Sequence, residues 1–201
     1  ALDERGTTVF LVDPSAPGVT RLRQDTTTGI PEAQLVLDGA PVLGVLGAVG
    51  GGDEVVAWIT LRATAALAAT AVGVCESALR ITAEYTKTRE QFGRPIATFQ
   101  AVSQRAGDAY IDTEAVRLTA LQAAWRISEG LPADDAVAIA KFWAADGGQR
   151  VVHAAQHLHG GMGVDRDYPV HRYFLWAKSI ELTLGGATAQ LLKLGRSIAA
   201  S

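Results

Sequence analysis

Hydrophobic positions in the first fifty residues come in short runs between turn formers. Val9-Phe10-Leu11-Val12 precedes Asp13-Pro14-Ser15-Ala16-Pro17-Gly18, Val19 to Arg23 alternates loosely, and Ala33 to Leu37 lies between Pro31 and Gly39. Runs of this length between turn formers predict three or four β-strands. Three strands without a closing partner leave a bare edge and a half-covered face, so this region reads as part of a larger sheet. The pattern changes at Gly50-Gly51-Gly52. Small and apolar residues then recur at helical spacing, at Ile59, Ala63, Ala66, Thr70, Gly73, Ser77 and Ile81, with no proline before Pro95. That spacing predicts one long helix, with a contact face of Ala, Gly and Ser that admits a close neighbour.

After Gly93-Arg94-Pro95 the helical spacing resumes from Val102 to Ala123, predicting a second helix that starts near Ala97 or Thr98 and ends before Gly130-Leu131-Pro132. Asp134 and Asp135 favour a third helix start, and Val137 to Leu158 continue the pattern to a glycine stop at Gly160-Gly161. Tyr168-Pro169 opens a fourth helical stretch through Lys178, and a fifth runs from near Ala187 to Ala199. The predicted fold is mainly α: an antiparallel bundle of four to five helices over residues 53–201, preceded by part of a β-domain over residues 1–52.

Composition narrows the function classes. With 48% hydrophobic and 19% charged residues among 201, the chain is too apolar for disorder. A formal charge of −3 argues against a broad nucleic-acid-binding surface. The single cysteine, Cys75, leaves no internal disulfide and no CxxC pair, as expected in a reducing cytoplasm. The uncharged stretch Ala63 to Cys75 is shorter than the roughly 20 residues of a membrane helix, so no span is predicted. The amino terminus has no basic region followed by an apolar one, so no secretory leader is expected; it begins with Ala and not Met, so an upstream segment is.

Several residues are candidates for chemistry. His153 and His157 stand four apart near His159, but Ala154 follows where a zinc protease has Glu, so no metal site is expected and packing is the default. Cys75 reads as a small core residue, and no serine sits in a nucleophile elbow. Gly160-Gly161-Met162-Gly163 follows a helix, not a strand, and taken alone is a C-cap. The segment Tyr85 to Ile96 gathers Arg89, Gln91 and Phe92 where one helix ends and the next begins. These groups suit a nucleotide, with Arg for pyrophosphate oxygens, Phe for a flat ring and Gln for hydrogen bonds. The same segment also reads as an inter-helix turn anchored by a buried Phe.

The order YxxxRxxFGxPI (Tyr85 to Ile96) with Phe99-Gln100, followed by HGGxGxxxxYPxxR (His159 to Arg172), resembles the C-terminal region of the acyl-CoA dehydrogenase family. The resemblance covers essentially the whole chain, with Gly29 to Gly52 similar to the end of the family's middle β-domain. In the family, a helical domain and the first half of the β-domain precede this region. Subunits form dimers and dimers of dimers, and the RxxFG turn of one subunit reaches the FAD of its neighbour. The resemblance thus implies Arg89 on the FAD pyrophosphate, with Gln91, Phe92, Ile96 and Gln100 around the adenosine half. It also implies close backbone approach at Gly160 and Gly161, and places His157 where the family usually has Gln.

The family removes the α-proton of an acyl-CoA thioester with a Glu and passes electrons to electron transfer flavoprotein. Counted without gaps from Tyr168-Pro169, that Glu position falls on Leu184, within Thr183-Leu184-Gly185-Gly186. The other family position for the base falls on Ala63, and a CoA-side Arg position falls on Thr64, with Arg62 nearby. Leucine and alanine cannot take a proton, so no catalytic residue is assigned. The preferred implication is a non-catalytic subunit that completes the FAD site with a catalytic partner subunit in an α2β2 hetero-oligomer, as among actinobacterial enzymes that shorten sterol side chains. A self-sufficient homo-oligomer using Glu181 or another carboxylate, and a flavin-free helical assembly scaffold, are the alternatives.

Overall fold

The computed structural model describes residues 1–4 and 6–200. The chain divides into two compact units, Ala1–Leu61 and Arg62–Ser201, and helix α1 (Gly52–Thr88) crosses the boundary. In the first unit, β1 (Leu2–Asp3) pairs with β2 (Gly6–Thr7), β3 (Val9–Val12) with β6 (Val42–Leu46), and β4 (Val19–Gln24) with β5 (Glu32–Leu37), all antiparallel. The three predicted runs are strands. Strand β6 and the two-residue pair β1–β2 escaped the sequence pattern, because Gly44 interrupts the first and the second is too short to show a period. Gly52 opens α1 where a Cβ would come within 2.8 Å of the Thr7 carbonyl oxygen, so glycine permits this close backbone approach.

The second unit continues with β7 (Glu90–Gln91), β8 (Arg94–Pro95), α2 (Gln100–Ser128), α3 (Asp134–His159), α4 (Val170–Leu182) and α5 (Ala187–Ala200), with 3-10 turns at Ile96–Thr98 and Gly160–Val164. It is a helical bundle. Helix α3 packs against α2, α4 and α5 and buries small residues around its circumference, among them Val137, Ala140, Ala144, Gly148, Val151 and Ala155. Helix α4 runs four residues beyond the expected Lys178, because nothing in Ser179 to Leu182 breaks a helix.

The long first helix forms as expected, but with a different face inward. Thr64, Ala68, Ala71, Cys75, Ala78, Thr82 and Thr86 are buried, whereas Ala66, Thr70 and Gly73 of the expected face are exposed. Small residues occupy both rows, so spacing alone could not select one. Cys75 lies in a core cluster with Ala109 and Val151, flanked by Leu79 and Ala154. Burial, reinforced by the Asp112 and Glu76 charges, pushes its thiol up to about 12, which suits an inert core residue. By length and composition α1 is long and apolar enough to cross a membrane, which the run Ala63 to Cys75 did not suggest. Cys75 and Leu79 pack in the bundle core, while most of the helix's apolar window is not buried.

Candidate functional site

Helix α1 ends on a tight hairpin. The Arg89 amide donates to the Tyr85 carbonyl at 2.8 Å, and the Ile96 amide donates to the Arg89 carbonyl at 2.8 Å, closing the turn. Glu90 pairs with Pro95 and Gln91 with Arg94, leaving Phe92 and Gly93 as the two central residues. Both have positive φ, 56° and 77°. Such a turn suits glycine at both places, and a phenylalanine there is strained by roughly 1–2 kcal/mol. The Phe92 side chain is nevertheless 92% exposed. The reading of Phe92 as a buried anchor is therefore wrong: with both central residues left-handed, its ring stands out from the turn.

The surrounding groups leave this ring open. Phe92 meets Phe99 edge-on with centroids 6.1 Å apart, while the Arg94 guanidinium lies 4.3 Å above the Phe99 ring. Arg89 is exposed, and its guanidinium makes no hydrogen bond or ion pair among the described residues. The Gln91 amide nitrogen donates to the Glu90 carbonyl at 2.8 Å. Ile96 is half-buried, and exposed Gln100 is the first residue of α2. Five of the eight expected cofactor residues thus lie on one short stretch.

The other three lie where α3 ends. His157 is exposed, and its carbonyl accepts the Gly160 amide. Gly160 has φ +59°, and a Cβ at Gly160 or Gly161 would meet nothing within 4 Å, so both backbones face open space. Gly163 differs, since a Cβ there would come within 2.4 Å of the Gln156 carbonyl oxygen. The two groups are joined through rings: Tyr85, four residues before Arg89, stacks on His159, one before Gly160, at 4.3 Å between centroids. The histidines have separate surroundings, with His153 edge-on to Phe174 at 4.9 Å and His159 buried. Burial lowers the His159 pKa, against the opposing effect of its hydrogen bond to Ala155. Among the described residues no three His, Cys, Asp or Glu side chains come together as metal ligands.

Leu184 occupies a third turn, after α4. Its φ is +58° and that of Gly185 is +94°. This turn is fastened from two helices. Buried Lys141 on α3 donates to the carbonyls of Ile180, Glu181 and Gly185 at 2.8, 3.1 and 3.0 Å, and Gln190 on α5 donates to those of Leu184 and Gly185 at 3.1 and 3.2 Å. Burial pushes the Lys141 ammonium down to about 8, opposed by the Glu181 carboxylate. Glu181 itself is engaged, accepting from Lys178 at 2.5 Å and, in the orientation that satisfies both groups, from the Gln149 amide at 3.2 Å. The sequence reading missed Lys141 and Gln190. The available signal was a lysine in a row of apolar positions, between Ala140 and Phe142.

Residues 50–199 match the C-terminal domain family of acyl-CoA dehydrogenases. Among individual proteins, the chain is 48% identical to acyl-CoA dehydrogenase FadE27 of Mycobacterium tuberculosis over 98% of its own length and 54% of that protein. In structure it is similar to a chain of the ChsE4-ChsE5 complex from Mycobacterium tuberculosis, with a TM-score of 0.90 and 49% identity over 98% of this chain and 54% of that one. It is also similar to a chain of the Tcur3481-Tcur3483 steroid ACAD G363A variant, with a TM-score of 0.87 and 48% identity over 96% of this chain and 52% of that one. The chain spans about half the length of the relatives it matches.

Proposed function

The chain belongs to the acyl-CoA dehydrogenase family, and from that premise we propose that it serves an FAD-dependent α,β-dehydrogenation of an acyl-CoA thioester as a subunit without its own base. In this reading residues 1–52 are the end of the middle β-domain and residues 53–201 the helical domain, working in the cytoplasm with electron transfer flavoprotein as oxidant. The observation that carries it is the Arg89–Phe92 turn, which carries an exposed arginine with no ion pair among the described residues and an exposed aromatic ring held on a strained backbone. Strain of this kind persists where a surrounding contact uses it, and a pyrophosphate beside an adenosine ring fits both groups.

Arg89 would hold the pyrophosphate oxygens, Phe92 would cover apolar ring surface, and Gln91, Ile96 and Gln100 would line the adenosine half. Gly160 and Gly161 offer open backbone to the same half, with His157 supplying one hydrogen bond. When bound, FAD supplies the acceptor for the β-hydrogen, leaving as hydride. Leu184 takes up no proton, so the α-proton passes to a base on the partner subunit. Because Lys178 and Gln149 already engage Glu181, the geometry favours this reading over a self-sufficient enzyme using that carboxylate. The ChsE4-ChsE5 complex joins two different proteins, which supports a hetero-oligomer, proposed here as α2β2, and the steroid ACAD supports a sterol-derived acyl group.

The test is the visible spectrum and activity of the purified protein, alone and with its candidate partner. Flavin and turnover are expected only in the pair. A protein that is yellow and active alone is self-sufficient, and one colourless in both samples is a scaffold. Arg89→Ala is expected to lower flavin retention in the pair at least about tenfold, through loss of charge-assisted hydrogen bonds. Unchanged flavin content would remove the assignment.

A further inference from the structure

Three rings of the two sequence motifs have no part in the cofactor assignment: Tyr85, His159 and Tyr168. We propose that His159 is a positioning residue, the middle ring of a clamp that fixes the Arg89 turn against the Gly160–Gly161 turn. The proposal rests on the FAD reading of those two turns.

The geometry gathers all three rings. Tyr85 and His159 are stacked at 4.3 Å with 27° between planes, His159 and Tyr168 are 5.2 Å apart, and Tyr85 and Tyr168 are 6.3 Å apart edge-on. Each ring belongs to a different backbone segment: the last turns of α1, the end of α3 and the loop before α4. Tyr85 is tied directly to Arg89, whose amide it binds through its carbonyl, and His159 is bonded covalently to Gly160. A displacement of the stack therefore moves one turn relative to the other. A single cofactor spanning both turns needs them at a fixed separation, because small misplacements of binding groups are costly.

The ring orientation is fixed as well. The His159 Nδ1–H donates to the Ala155 carbonyl one helical turn back at 2.7 Å. Carbonyl oxygen only accepts, so this bond sets the neutral tautomer with the proton on Nδ1 and leaves Nε2 as a bare acceptor. Nε2 is buried and has no partner among the described residues. Simple space filling would be served better by an apolar ring, which buries no unsatisfied nitrogen. The imidazole instead gains a hydrogen bond that holds its plane stacked on Tyr85, as a positioning ring requires.

The experiment is titration of FAD onto the deflavinated protein in complex with its partner, followed by flavin fluorescence, with thermal unfolding as the check on folding. His159→Ala is expected to weaken FAD binding about tenfold, the scale of a lost aromatic pair. His159→Phe, which keeps the stack and loses the lock, is expected to return affinity to within about threefold of the parent. A folded His159→Ala protein with parental affinity would overturn the clamp, as would His159→Phe binding no better than His159→Ala. Should His159→Ala not fold, half-buried Tyr85→Leu carries the same tenfold expectation, and parental affinity there overturns the proposal equally. Arg89→Ala separates the two levels. If it loses FAD while the ring variants do not, only the clamp fails; if it also keeps FAD, the cofactor reading and the clamp fall together.

Discussion

Among the described residues, two turns hold a non-glycine residue in the left-handed region, and they are supported in opposite ways. At Leu184, side chains from α3 and α5 supply five hydrogen bonds to the carbonyls of the turn and of the helix end before it. At Phe92, the two-residue hairpin stands on its own short ladder, with its ring exposed. The first turn is held by side chains from the bundle's interior. The second lacks such support among the described residues, which agrees with the proposal that a cofactor contact completes it. On the proposed reading, the position expected to carry a base is held by five internal hydrogen bonds, while the exposed Arg89 and the open Phe92 ring stand at the hairpin.

The largest effect is expected at the fastened turn. Lys141→Met keeps an apolar stem of similar length but takes the donor from the Ile180 and Glu181 carbonyls and leaves Gly185 with Gln190 alone, and should lower stability by about 3 kcal/mol or more. Urea unfolding measures it. A loss below about 1 kcal/mol would mean that water replaces the ammonium and that the two turns are not differently held.

A smaller effect distinguishes the strain at each turn. Phe92→Gly relieves the left-handed backbone and gives up almost no burial, so the protein should gain about 1 kcal/mol while FAD binding weakens. Leu184→Gly should gain less, since Leu184 is only 45% exposed and surrenders contacts. Equal gains in denaturant midpoint would erase the contrast.

The smallest effect is in pH. Burial lowers the His159 pKa in the folded protein. As pH falls below the ordinary histidine value of about 6.5, the unfolded chain takes up the proton first, so stability present at neutral pH is lost toward acid. His159→Phe should flatten this part of the stability–pH curve. A curve identical to the parent's would show that another group titrates there.

Periodicity and punctuation alone placed the long first helix, the third helix from Asp134 to its glycine stop, and the change from strands to helices near Gly52. These were legible because Pro, Gly and paired Asp act on the backbone locally. The expected cofactor residues came through the order of two motifs and their resemblance to a family, since isolated Arg, Gln or Gly positions look the same in any turn. The fastening of Leu184 was not legible: Lys141 lies 43 positions before it, and no local pattern links an amine to carbonyls that far along the chain.

The sequence by itself determined which segments are helical, because that depends on residue identity and short-range spacing; that no acid stands at either position expected for a base follows from the resemblance to the family. Only the tertiary structure decided which face of α1 is inward, that Phe92 stands outward, and that Tyr85, His159 and Tyr168 meet. Those outcomes depend on how separate helices pack, and a face made almost entirely of small side chains carries too little contrast to choose its neighbour in advance.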